Sequence, residues 1–258
     1  MLFQEENNAG RWAARSLVLG ALVAALGLAS SAHAADNHAA TAPATAFPKG
    51  HYAELNTLPD WGGVWTYNYP VPSQGAHRSA PALQGKYLQA YQSWQREVKA
   101  HHGEAPHQGS YCRPPGMPLI MMVGQYPIEF LFTPGRVTIH YEAWMQWRNI
   151  YTDGRSHPAD LDPTFYGDSI GHWQGDTLVV DTVGLKQIVQ IGQGMGHSDR
   201  LHIVERMHLA KGDPNTLVDE MTLYDPVALA KPWSTTLTYQ RSRNQQLLEF
   251  ICEENDRN

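Results

Sequence analysis

Residues 167–182 read GDSIGHWQGDTLVVDT. β-Branched and aromatic residues lie on both sides of a glycine, which is the pattern of a β-hairpin. A two-residue turn at Gln174-Gly175, with glycine supplying a positive φ, sets the expected register. It pairs Trp173 with Asp176, Gly171 with Leu178 and Ser169 with Val180. On the other face His172 meets Thr177, Ile170 meets Val179, and Asp168 meets Asp181. One surface is then apolar through Trp173, Leu178 and Val180. The other sets two carboxylates directly across from each other, with a histidine further along. Opposed like charges destabilise a strand pair unless solvent, a cation or a shared proton relieves them. The polar face is therefore either solvated surface or the wall of a site that holds an acid beside a base. Alternation alone leaves open which face turns inward.

The same period-2 pattern extends through the rest of the chain from Tyr126. PIEFLFT and RVTIHYE flank a Pro-Gly turn, and MQWRNIYT ends at Asp153-Gly154. LHIVERMHLA and TLVDEMTLY join across KGDPN, and STTLTYQR and LLEFIC close the chain. With a further strand in LPDWGGVWTYNY, short strands at this regular spacing predict an all-β fold, an antiparallel barrel of roughly eight to ten strands. A barrel of that size encloses one small ligand. One helical segment interrupts it near residues 81–101, where Leu83, Tyr87, Leu88, Tyr91, Trp94 and Val98 recur at helical spacing. A Gly-, Pro- and His-rich loop follows, over about 103–118.

The N-terminus has a secretory pattern. Arg11 and Arg15 precede the apolar run Leu17 to Leu28, and Ala32-His33-Ala34 offers a cleavage site. The run is too short to span a bilayer, and no cysteine follows it to carry a lipid. The expectation is a signal peptide over 1–34, a disordered Ala/Thr/Pro leader over 35–50 and one barrel domain over 51–258, periplasmic or secreted, with no membrane anchor. The net charge of −6 and the lack of a basic patch disfavour nucleic acid as a partner. Only Cys112 and Cys252 are present, and in an oxidising compartment they are expected to form one disulfide.

CRPPGMP, IYTDGRSHP, GDSIGHWQGDTLVVDT, HSDRLHIVERM, DPVALAKPW and EFICEEN occur in this order within residues 111–255. As a set they resemble a family of exported bacterial proteins of unknown function. The resemblance implies a lipocalin-like β-barrel, and GGVW near the first strand is similar to the lipocalin G-x-W pattern. It implies no reaction.

Candidate chemistry rests on the residues themselves. Glu205 shares a strand face with Leu201, Ile203, Met207 and Leu209, and a carboxyl in such surroundings is either an acid–base group or half of a buried ion pair, with Arg148 the candidate partner. His197 lies in the glycine-rich loop GQGMGHSDR, a mobile-looking segment that would carry function at a barrel mouth or simply bond Ser198 or Asp199. Asp168, His172 and Asp181 complete the catalytic candidates. Arg148, His140 and Tyr151 are candidates for holding substrate, and His157 is a weaker histidine. His101, His102, Glu104 and His107 are zinc-capable types in a flexible loop, without H-E-x-x-H or paired Cys-x-x-Cys, so no metal site is assigned. No Walker loop, dinucleotide fingerprint or G-x-S-x-G elbow is present in its required setting, so no cofactor is expected. The resulting expectation is a cofactor-independent acid–base enzyme, a lyase, isomerase or hydratase, acting on a small organic molecule in a barrel pocket. A non-catalytic binding barrel and a histidine-dependent metalloenzyme are the alternatives.

Overall fold

The computed structural model describes residues 49–69, 79–103 and 112–252. The expected signal peptide, residues 35–48 of the leader, Glu104 and His107 lie outside them. Nine strands close into one barrel: β1 (Val64–Tyr67), β2 (Ile128–Thr133), β3 (Arg136–Tyr141), β4 (Gln146–Tyr151), β5 (Asp168–Gln174), β6 (Thr177–Val183), β7 (His202–Ala210), β8 (Asp213–Tyr224) and β9 (Trp233–Ser242). They run in chain order around the wall, and β9 returns to β1 through four residue pairs from Val64–Ser242 to Tyr67–Tyr239. The expected strand LLEFIC is not one. With β1 and β9 paired, the barrel has no free edge to accept it. Residues 247–252 instead form a strap: Glu142 accepts a hydrogen bond from the Leu248 amide at 2.7 Å, and Phe250 packs edge-on against Tyr126. The strap ends at the Cys112–Cys252 disulfide, whose Cα atoms are 5.4 Å apart.

Neighbouring strands are antiparallel except for β4 and β5, which pair in parallel through Ile150–Ser169 and Tyr151–Ile170. Parallel neighbours cannot be joined by a tight turn, so the chain must cross back before it rejoins the sheet. Residues 152–167 make that crossing and carry the Asp153-Gly154-Arg155-Ser156-His157 sequence, which places His157 beside the barrel wall.

The hairpin register differs from expectation by a one-residue shift of the turn. Gln174 pairs with Thr177, Trp173 with Leu178, Gly171 with Val180 and Ser169 with Thr182. The turn is Gly175-Asp176, with Gly175 at φ +60° in its first central position. Glycine in that position with a positive φ suits a II′-type turn, whose twist matches the flanking strands. Asp168 therefore faces Val183, and Asp181 faces Ile170. The apolar surface turns inward: Leu178 and Val180 are fully buried. Burying such a side chain is worth about 1.5–3 kcal/mol, so the apolar face takes the core and Asp168, His172 and Asp181 go outside.

Both ends of the β2–β3 hairpin are closed over. At one, Trp61 packs edge-on against Phe130 and Trp173, at 5.0 and 5.4 Å between ring centres, with Phe132 beside them. At the other, a 3-10 turn at Leu119–Met122 fills the interior with Ile120 and Met121. Tyr141 donates to Met121 Sδ at 3.2 Å, and Tyr239 to the Met121 carbonyl at 2.6 Å. Among the described residues the single α-helix, α1 (Gly85–Ala100), lies within the expected segment. Its half-buried residues Tyr87, Tyr91, Trp94 and Val98 form one stripe, and Leu88 is exposed. A Cβ on Gly194 (φ +74°) would collide with the Trp94 indole, so only glycine permits this contact.

Candidate functional site

A polar belt crosses the barrel interior. Arg148 on β4 donates from Nη1 to Glu205 Oε1 at 3.0 Å, and its Nη2 pairs with Glu205 Oε2. Arg148 Nε donates to Ser169 Oγ at 3.1 Å and Nη2 to Thr182 Oγ1 at 2.8 Å, and the two hydroxyls bond each other at 2.9 Å. Alternation explains the assembly: each of these residues takes an inward position on its own strand. Burial alone would lower the Arg148 pKa, but the Glu205 charge and hydrogen bonds reverse this and raise it. Glu205 is 0 % and Arg148 1 % exposed, so neither has a water-accessible surface from which to meet a substrate. The ion-pair alternative for Glu205 is the arrangement present.

Asp219, on the inward face of β8, was absent from the sequence-based candidates. It is fully buried, and neither carboxylate oxygen has a hydrogen-bond partner. Burial and the nearby Glu205 charge push its pKa well above the usual carboxylate range, against the pull of Arg148. A buried unpaired carboxylate is costly, so this environment favours the neutral acid. The signal for it was available. Leu217, Asp219, Met221 and Leu223 repeat the pattern that singled out Glu205.

The second assembly is on the outer face. His157 Nδ1 lies 2.5 Å from Asp168 Oδ1 on β5, and Nε2 lies 3.2 Å from Asp181 Oδ1 on β6. His202, at the start of β7, brings its Nε2 to 2.8 Å from the same Asp181 oxygen. That contact lacks hydrogen-bond alignment, so it is electrostatic proximity rather than a directed bond. Asp168 and Asp181 are thus diagonal neighbours on one face rather than an opposed pair, and the imidazole lies between them. The group borders a cleft of about 700 Å³ lined by Asp153, Arg155, His157 and Asp168. Arg155 grips Asp153 with two bonds of 2.9 and 2.8 Å and stacks on Tyr151 at 3.9 Å. The Arg155 bonds, with help from the Lys49 amide, hold the Asp153 carboxyl down at about 2.

The other candidates lie apart from this group. His197 is 2 % exposed. Its ring nitrogens lie 2.7 and 3.1 Å from the carbonyl oxygens of Ser198 and Lys186, so it ties two segments together and does not line a mouth. Its loop is packed rather than loose, with Val189, Ile191 and Met195 buried. Asp225 anchors the next turn: burial works against its charge, but four hydrogen bonds from Ser198, Val227 and Ala228 hold its pKa below the ordinary range. His172 bonds Gln174 on the outer wall, away from His157. His140 pairs with its cross-strand neighbour Glu129 at 3.1 Å. Among the described residues no group of three or more His, Cys, Asp or Glu side chains is arranged to hold a metal ion. No helix among them is long and apolar enough to cross a membrane. The chain matches no family model and no curated protein.

Proposed function

We propose that the protein is an exported enzyme that acts on a small organic molecule by cofactor-independent acid–base chemistry, at the outer cleft rather than inside the barrel. The carrying observation is the His157 imidazole, held between Asp168 and Asp181 at the edge of an open cleft. Asp168 accepts from Nδ1 and fixes the ring, and Nε2 is directed at Asp181, so the imidazole and that carboxylate form one proton-carrying pair. Asp181, the more exposed of the two carboxylates, lies beside it as the second proton-carrying group. An aligned donor and acceptor pair of this kind suits proton abstraction with return at a neighbouring atom, the step shared by lyases, isomerases and hydratases. Three segments converge here: the crossover 152–167, the adjoining 167–182 hairpin and the start of β7. The A-x-A pattern at Ala32-His33-Ala34 and the disulfide support export.

The test is a melting-shift and NMR screen of small carbonyl, hydroxy and carboxylic compounds, followed by turnover assays on the hits. His157→Asn and Asp168→Asn are expected to keep the fold and to slow turnover by roughly 100-fold or more. Turnover at the wild-type rate in folded His157→Asn would defeat the assignment.

A further inference from the structure

A second cleft opens at the mouth closed by Trp61 and Trp173. Its volume is about 480 Å³, and it lies between residues 49–58 and the β2–β3 turn. We propose that it binds an aromatic carboxylate, with Arg136 taking the carboxylate and Trp173 flanking the ring. This proposal stands apart from the acid–base reading, since none of its anchoring groups is His157, Asp168 or Asp181.

Arg136 carries the argument. It sits at the start of β3, where the Thr133–Arg136 pair closes the hairpin. Its Nε is buried and has no hydrogen-bond partner, and its guanidinium makes no ion pair with any described residue. Arg136 lines the cleft and is half-buried, so a carboxylate there would give its guanidinium an ion-pair partner and form charge-assisted hydrogen bonds in a partly desolvated setting. Two acidic residues also line the cleft. Asp153 is already committed to Arg155 and the Lys49 amide. Glu54 is exposed to solvent, and Lys49 and His51 in the same lining offset it.

The ring subsite follows from the aromatic cluster behind the cleft. Trp173 is half-buried, braced edge-on by Trp61 and by Phe132 at 5.6 Å. It lines the cleft together with Leu55 and Leu58. A rigid indole and two leucines in one lining suit a flat apolar body, and the volume lies within the range of small-ligand pockets. The near wall is fixed by sequence. Gly135 has φ +66°, and a Cβ there would overlap the Lys49 carbonyl, so residues 49–50 lie directly on the turn.

Benzoate, benzamide and acetate are the probes, titrated by calorimetry and by tryptophan fluorescence. Benzoate is expected to bind and to perturb the fluorescence, while benzamide lacks the charge and acetate lacks the ring. Both are expected to bind at least 10-fold more weakly. Arg136→Gln should weaken benzoate by roughly 10- to 100-fold, as loss of a charge-assisted pair does. Arg136→Lys should recover part of that loss, and His157→Asn should leave benzoate binding within about 2-fold. The proposal is overturned if benzoate fails to bind at millimolar concentration, if benzamide matches it, or if Arg136→Gln binds it like wild type. It is also overturned if His157→Asn, and not Arg136→Gln, abolishes binding, because the anion would then belong to the outer cleft. Arg136→Gln should melt no lower than wild type. A lower melting point with unchanged benzoate affinity would assign Arg136 to the fold and overturn the proposal as well.

Discussion

Arg148 on β4 and Glu205 on β7 meet in a two-point ion pair through the barrel interior, spanning strands that do not touch in the wall. The pair links β4 to β7 through the interior, and Ser169 and Thr182 take two further guanidinium donors. Such pairs do not stabilise strongly relative to an apolar replacement, but halving one leaves an uncompensated buried charge.

Glu205→Gln is therefore expected to cost about 3–5 kcal/mol of unfolding free energy, with turnover per folded molecule little changed. The double variant Arg148→Met/Glu205→Leu should recover most of that loss, because neither charge is then stranded. Urea denaturation of Arg148→Met, Glu205→Leu and the double variant measures the coupling. A single variant as stable as wild type would show that the belt carries no energetic weight.

Asp219 gives the stability a slope with pH. Its pKa is raised in the folded barrel, so the folded state holds a proton that the unfolded state releases near the ordinary carboxylate value. Its contribution is complete below about pH 4 and is lost as pH rises toward the folded-state pKa, with a limiting slope of ~1.4 kcal/mol per pH unit. Asp219→Asn should flatten this slope. Melting curves of both proteins between pH 4 and 8 test it, and parallel curves would refute the assignment.

Asp153 works with the opposite sign. Its pKa is lowered to about 2, so its contribution is present above the unfolded value and is lost as pH falls toward about 2. Protonation there removes the anchor of Arg155 and of the Lys49 amide, loosening the crossover beside His157 and the wall of the Arg136 cleft. Asp153→Asn should blunt the acid limb of the stability profile. Amide signals of Lys49 and Arg155 should move together in an acid titration of the wild type, and independent movement would count against the shared anchor.

The Cys112–Cys252 bond closes a loop of 140 residues. Replacing both cysteines with serine is expected to cost roughly 2–5 kcal/mol. The barrel needs no strand from the strap, so the variant should keep the near-ultraviolet signature of the packed Trp61 and Trp173 cluster. Limited proteolysis should cut residues 244–252 faster, and loss of the aromatic signature would mean that the strap holds the barrel itself together.

The sequence determined the barrel because period-2 alternation is a local property: Ile203, Glu205 and Met207 must share a face whatever the strand pairs with. It also determined the helical stripe Tyr87, Tyr91, Trp94 and Val98, and the pairing of the only two cysteines. The Arg148–Glu205 contact was legible as one alternative, since both residues take inward positions. Asp219 was equally legible by its three apolar face-mates and was passed over.

The outer site and the mouth cleft were decided only by tertiary structure. A one-residue choice of turn, with Gly175 at a positive φ in its first central position, moved Asp168 from facing Asp181 to facing Val183. No periodicity announces that β4 and β5 run parallel, yet that pairing sends residues 152–167 back across the wall and brings His157 between the two carboxylates. Arg136 is one unremarkable arginine in the chain. Only the seat of residues 49–58 against the β2–β3 turn makes it part of a cleft wall. Strand faces follow from neighbours in sequence, whereas sites follow from where closure of the barrel sends its connections.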